Sequence, residues 1–338
     1  MKGHPLQWFD VQQWGVEGKG WTTPRFYQRL PQKAKAPLPD LWEMGGNPTG
    51  LSAFFETDAP EVHVRWLLRS AELDEPNMSR VNFSGIDLYA KNGARWHWAG
   101  ATTKFKKRRA EECLIRELPV RRRRFRLYLP ARNFVARLEI GVPQGAFFRP
   151  IPPRRAKPLV YYGSSIVHGA YSSRPGMTHP AILGRWLDCP VVNLGFSGQA
   201  KMHEPMARLL AELDARAFVI DPLPNMDPAL IRERAETFLR ILCIARPATP
   251  VVLVEDFPLT NAWLRPSSLR THREKWRLLA RIHRRLRGEG HGNLHYVEGK
   301  HSLGDDNEGT LDGIHPNDLG YMRLATNLFP VLKKVTST

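Results

Sequence analysis

The chain has 338 residues, of which 42% are hydrophobic, and a net charge of +17. That length suffices for large cores and points to two domains. No run of 18 apolar residues occurs, which excludes a membrane-spanning helix. Cys113, Cys189 and Cys243 are too few and too scattered for a disulfide framework or a zinc motif. The N-terminal Met1-Lys-Gly-His-Pro-Leu-Gln-Trp-Phe lacks an apolar signal core. A cytoplasmic location is therefore expected, and a trimmed precursor would make it periplasmic or secreted.

Residues 1–150 hold short runs of alternating polarity between Gly, Pro, Asn and Asp breakers. The runs are Leu51–Thr57, Val62–Leu68, Gly85–Ala90, Arg95–Ala99, Arg124–Leu129 and Ala136–Val142. Val62, Val64 and Trp66 fall on one strand face, as do Phe125, Leu127 and Leu129. Asn92-Gly93 marks a hairpin. No long helical pattern interrupts these runs. An antiparallel β-sandwich with jelly-roll-like topology is expected as an accessory domain. Its tryptophans are expected in the core, a sugar-stacking surface being the alternative. The Pro-rich stretch Arg149–Pro158 ends the region.

Residues 151–338 alternate strands with helices. Strands are expected at Leu159–Tyr162, Val191–Leu194, Ala217–Asp221, Val251–Glu255 and Leu294–Val297. Helices are expected near His179–Leu187, Pro205–Leu213, Pro228–Ala245, Leu269–Arg287 and Asn317–Leu332. Such alternation implies a parallel sheet covered on both faces, with ligands outside the carboxyl ends of the strands.

The strand ends carry chemistry. Gly163-Ser-Ser165 follows the first strand, Gly195-Phe-Ser-Gly198 the second and Pro224-Asn225-Met226 the third. Asp312-Gly-Ile-His315 precedes the last helix. A serine hydroxyl needs a base to become a nucleophile, and His315 can supply it. Asp312, three residues earlier, can orient the imidazole and stabilise its charged form. An oxyanion would find donors in the N–H groups of Ser165 and Gly198 and the side-chain amide of Asn225. Each piece alone is an ordinary turn, but in this order they point to acyl transfer.

In these four blocks the chain resembles the SGNH-hydrolase superfamily, the GDSL-type esterases and lipases. The resemblance implies a flavodoxin-like three-layer α/β/α catalytic domain and metal-free, cofactor-free ester hydrolysis. It aligns Ser165, rather than Ser164, with the nucleophile. Ser164 stands where the family usually has Asp, and Leu-Pro-Asn225-Met stands for its Gly-x-Asn-Asp block. Both departures, with Ser84-Gly-Ile-Asp-Leu-Tyr89, are similar to the subgroup with an N-terminal β-sandwich. Relatives of that kind imply a short-chain, acetyl ester of a carbohydrate as substrate. The alternatives are a lipase- or lysophospholipase-type acylhydrolase and a polyanion-binding protein with an inactive hydrolase domain.

Position alone nominates His168, Arg174, Gln199, Lys201 and Met226 as substrate contacts, while His179 and His203 are expected to be exposed. His291-Gly-Asn-Leu-His295 does not suit a metal, because Gly and a following strand keep both rings off one helix face. The window Lys104–Arg126 alone carries +8. With no nucleic-acid motif beside it, it reads as a solvated edge of the sandwich, or as a patch that steers an anionic substrate. The expected partner is a small-molecule or oligosaccharide ester. The sequence leaves the oligomeric state open.

Overall fold

The computed structural model describes residues 5–76 and 78–337; Met1–His4, Asn77 and Thr338, at the ends and within the two sequence regions, lie outside it. Nine strands form the first region: β1 (Leu6–Asp10), β2 (Ser52–Thr57), β3 (Val62–Leu68), β4 (Asp87–Asn92), β5 (Arg95–Ala101), β6 (Arg109–Ile115), β7 (Arg123–Tyr128), β8 (Val135–Pro143) and β9 (Phe148–Ile151). They make two antiparallel sheets, β1-β8-β3-β6 and β5-β4-β7-β2-β9. Alternate residues of each sheet meet in one core, with Val62, Val64, Trp66, Phe125 and Leu127 buried as the alternation requires.

Three strands escape the sequence pattern. β6 reads Arg-Ala-Glu-Glu-Cys-Leu-Ile and lies at a sheet edge, so its outward residues need not be apolar. β9 contains Pro150, which an edge strand tolerates because one side of its backbone has no partner. β1 is also an edge strand, and its residues are mostly half-buried. Two short helices, α1 (Pro39–Met44) and α2 (Arg80–Ser84), interrupt the strands.

Five strands follow: β10 (Leu159–Gly163), β11 (Val191–Gly195), β12 (Ala217–Asp221), β13 (Val251–Val254) and β14 (Leu294–Val297). All pair in parallel, in the order β11-β10-β12-β13-β14. Their helices are α3 (Ser165–His168), α4 (His179–Trp186), α5 (Glu204–Ala211), α6 (Pro228–Leu230), α7 (Glu236–Ala245), α8 (Pro266–Gly288) and α9 (Asp318–Thr336). A π turn over Ile231–Ala235 joins α6 to α7. β10 shows why both faces are covered: Val160 and Tyr162 enter one core, Leu159 and Tyr161 the other. The strand order reverses at β10, where this sheet type opens a crevice. Among the described residues no helix is long and apolar enough to cross a membrane.

The sheets divide near residue 150, but the cores do not. Leu30, Ala34, Leu38, Leu41 and Trp42 pack with Val192, Leu194, Met206 and Phe218 of the parallel-sheet layer. The second sandwich sheet is also buried on its outer face. Arg126 and Tyr128, which alternate with the inward Phe125 and Leu127, are 2% and 1% exposed. Tyr128 and Tyr89 pack on Ala181 of α4, and the Arg185 guanidinium lies 4.1 Å from the Tyr89 ring centroid.

Candidate active site

The loops that carry the predicted chemistry start level with one another. Gly163, at the end of β10, pairs with Gly195 of β11 on one side and Asp221 of β12 on the other. Chain leaving these strands therefore forms one rim. At Gly195 a Cβ would lie 2.1 Å from the backbone N of His168, so only glycine lets α3 settle on β11.

Ser164 and Ser165 have different tasks. Ser164 is the N-cap of α3, and its Oγ accepts the Ile166 N–H at 3.3 Å. Ser165 opens the helix, and its Oγ lies 2.9 Å from His315 Nε2. His315 Nδ1 lies 2.7 Å from Asp312 Oδ2. The other Asp312 oxygen accepts the N–H groups of Ile314 and His315 at 2.9 and 2.7 Å. Partial burial raises the Asp312 pKa, but these backbone donors and the imidazole outweigh it and bring the carboxyl below its ordinary value. A charged carboxylate beside Nδ1 favours the tautomer with its proton there, leaving Nε2 to accept from Ser165.

Gly198 has φ +71°, and a Cβ built there meets nothing within 4 Å, so its backbone borders open space. Asn225 ends a 3-10 turn after β12 and is half-buried. Its Oδ1 is buried without a partner, and its Nδ2 makes no hydrogen bond among the described residues. That amide is free to donate.

Other residues hold this geometry. The Tyr321 hydroxyl of α9 donates toward the carbonyls of Ile166 (3.1 Å) and Ala170 (2.7 Å). Asp318 accepts the Ser173 N–H at 2.8 Å. The Tyr171 ring meets the His315 ring edge-on at 4.6 Å, from a backbone with φ 65°. Asn193 donates to the Val167 carbonyl at 2.7 Å and accepts the Gly195 N–H at 2.9 Å. The sandwich grips the same loop. Asn82 donates to the Gly169 carbonyl at 2.8 Å and Thr49 to the His168 carbonyl at 2.7 Å. Asp87, fully buried, accepts from Arg174 and the Gly176 N–H, both at 2.9 Å.

These contacts correct several substrate assignments. Arg174 is tied to Asp87 and to the Tyr89 hydroxyl, so it joins the two halves of the molecule. Met226 is 3% exposed in the parallel-sheet core. His179, expected at the surface, is fully buried between Tyr161 and Tyr321. His168 is 1% exposed; its Nε2 lies 2.9 Å from the Ala131 carbonyl and its Nδ1 3.2 Å from Ser197 Oγ. Gln199 and Lys201 are half-buried beside Gly198, and His203 is half-buried too. No local signal distinguishes an inward histidine from a substrate-facing one.

His168 makes the fold acid-sensitive. Burial first, then the nearby Arg132 and Arg29 guanidinium groups, hold it well below its ordinary value, while the Ala131 carbonyl opposes them. The folded chain binds fewer protons here than the unfolded chain. Its contribution to stability is complete above the unfolded value of 6.5 and is lost as pH falls below it. The slope is about 1.4 kcal/mol per pH unit. Urea unfolding from neutral pH to about pH 5 is expected to show that extra slope in the native chain relative to His168→Gln; equal slopes would refute it.

The described residues that could hold a metal are Glu61, His63 and Cys113, whose ligand atoms lie within 4.8 Å of one another in the β3–β6 sheet rather than at this rim. Arg116 Nε already lies 3.2 Å from the Cys113 sulfur, which opposes a cation there.

Residues 156–333 match the model of the GDSL-like lipase/acylhydrolase family. The chain belongs to that family. It is an ester hydrolase. Residues 6–148 match the N-terminus of SGNH-hydrolase-type esterases, the GxDLY model, and Gly85, Asp87, Leu88 and Tyr89 spell that pattern. Asp87 and Tyr89 are the residues that hold Arg174. A candidate GDSL-like lipase from Bacteroides ovatus is 31% identical over 98% of both chains, with a TM-score of 0.93. A salicylyl-acyltransferase from a tetracycline biosynthetic pathway shares the fold at 19% identity over 98% of this chain and 99% of the other, with a TM-score of 0.75. A family two carbohydrate esterase from Cellvibrio japonicus does so at 11% over 99% of both, with a TM-score of 0.64. No curated protein matches the chain.

Proposed function

We propose that this chain is a serine esterase that removes short acyl groups, acetyl foremost, from a carbohydrate. One observation carries the chemistry: Ser165 Oγ, His315 and Asp312 form an unbroken hydrogen-bonded chain at a strand-end crevice. Ser165 Oγ attacks the ester carbonyl while His315 Nε2 takes its proton. The oxyanion is held by the N–H groups of Ser165 and Gly198 and by the Asn225 amide. His315 returns the proton to the departing alcohol. It then takes one from water as that water attacks the acyl-enzyme, and returns it to Ser165 Oγ as the carboxylic acid departs. Asp312 stays ionised and orients the imidazole throughout. The carbohydrate is supported by the shared fold with a family two carbohydrate esterase.

A second reading, a lipase-like acylhydrolase, is favoured by an apolar rim. Leu311 and Ile314 flank Asp312 and are 54% and 43% exposed, and Trp263 and Leu264 are exposed on the neighbouring loop. That loop is joined to the His315 loop by the Thr260 N–H on the Gly313 carbonyl at 3.1 Å. The test is acyl release from acetylated xylo-oligosaccharides, p-nitrophenyl acetate, p-nitrophenyl butyrate and a lysophospholipid. The carbohydrate reading expects acetate release from the oligosaccharide and faster turnover of acetate than butyrate. Preference for the lysophospholipid would favour the second reading. Inactivity on every ester would sink both.

A further inference from the structure

Residues 108–111 of the basic window line a groove of ≈ 720 Å³ on the outer face of the β1-β8-β3-β6 sheet. The pairing register decides what lies there. Arg65 of β3 stands between Glu111 of β6 and Glu139 of β8. One pleat along, Leu67 stands between Arg109 and Arg137. Two strand spacings put the last two residues about 10 Å apart across a small apolar floor. Arg108, from the loop before β6, lines the same groove.

The two rows are not equally satisfied. Arg65 closes a bidentate pair on Glu139 at 2.6 and 2.7 Å. Arg137 leans toward Asp10 (3.1 Å) and Glu139 (3.2 Å) and is 57% exposed. Arg108 and Arg109 are exposed and close no ion pair among the described residues, although the Arg109 charge acts on Glu139. Glu111 is exposed, and its charge acts on Arg65 across the strand pair. The groove thus offers exposed guanidinium forks beside carboxylates that are only partly engaged.

We propose that this groove binds a carboxylate-bearing polysaccharide, a uronate-type chain, separately from the Ser165 site. Guanidinium forks match carboxylates in bidentate geometry. Glu111 and Glu139 can accept hydrogen bonds from sugar hydroxyls, which a DNA backbone does not have. Single-stranded nucleic acid would want an exposed aromatic for its bases. The one aromatic among the lining residues, Trp66, is 2% exposed and faces the core, and the neighbouring half-buried Trp8 ring is taken up by the Arg65 guanidinium 4.3 Å from its centroid. The choice of a glycan rests on the reading of Ser165 as acting on a carbohydrate ester. Binding is measured without turnover, so a failure of either reading is seen by itself.

The test measures affinity of the full chain for oligogalacturonate, neutral xylo-oligosaccharide and single-stranded DNA at about 50 and 200 mM salt. The variants are Arg108→Glu/Arg109→Glu and, as a control with the same charge change, Arg281→Glu/Arg284→Glu on α8. The proposal expects oligogalacturonate to bind and the groove variant to weaken it by about tenfold or more. The α8 variant should weaken it far less, and the neutral glycan should not bind. Hydrolysis of p-nitrophenyl acetate should be unchanged in both variants. The proposal is overturned if oligogalacturonate does not bind at low salt. It is overturned too if both variants lose equally, because the effect is then general charge. Tighter binding of DNA, lost in the groove variant, would give the groove to nucleic acid instead.

Discussion

Ser165→Ala is expected to lower kcat on p-nitrophenyl acetate by about 10⁴–10⁶-fold, and His315→Ala by a similar factor. The nucleophile is useless without a base, and the base has no other task, so the two losses should not add. The double variant should be no slower than Ser165→Ala within about tenfold. Asp312→Asn is expected to cost about 10⁴-fold, because an amide at Oδ2 supports the wrong imidazole tautomer. Ser164→Ala is the internal control. It removes the cap on the Ile166 N–H and should cost about 1 kcal/mol of stability while hydrolysis persists. If Ser164→Ala abolishes turnover and Ser165→Ala does not, the nucleophile has been misassigned by one residue.

Arg29→Met is expected to destabilise the folded chain by about 3–5 kcal/mol, on the scale of a broken buried ionic network. Arg29 is 1% exposed. Its guanidinium donates to the carbonyls of Asn193 (2.8 Å), Gly195 (3.1 Å), Met44 (2.8 Å) and Asn47 (2.6 Å) and lies 4.9 Å from the Phe196 ring centroid. β11 is the edge strand of the catalytic sheet, so Asn193 and Gly195 have no strand partner on that side. Arg29 takes that partner's place. Burial, with Arg132 nearby, lowers its pKa to about 9, so it is still charged at neutral pH. Methionine would fill the space and leave four acceptors unpaired. Removing the cation also removes its own desolvation cost, so the loss stays below the sum of four charged hydrogen bonds. Lysine should not rescue, since a point charge cannot reach four carbonyls as the planar fork does. Urea unfolding checks this, and a loss under about 1 kcal/mol would refute it. By the same reasoning, residues 151–338 alone lack Arg29, Leu41 and Trp42 and should show no cooperative unfolding transition.

The sequence by itself determined the family, the parallel-sheet half and its class of reaction. The strands of residues 159–297 are short apolar runs between breakers, and their order with the helices implies a parallel sheet whose loops share one rim. Asp312 and His315 are close in the chain, so their pairing is a local matter. Ser165, Gly198 and Asn225 each follow a strand, and the parallel register ends those strands level with one another. The tertiary structure alone decided what holds that rim. Arg29 reads as a surface cation until a carbonyl cradle is assembled from residues up to 166 positions away. Asn82, Asp87 and Tyr321 stabilise the nucleophile loop across separations of 87, 89 and 155 residues. His168 and Met226 sit beside candidate catalytic positions in the chain, yet their side chains are buried. Local pattern reports which residue types are adjacent and with what period. Whether a polar side chain is buried and paired depends on groups that only the folded chain brings within hydrogen-bond reach.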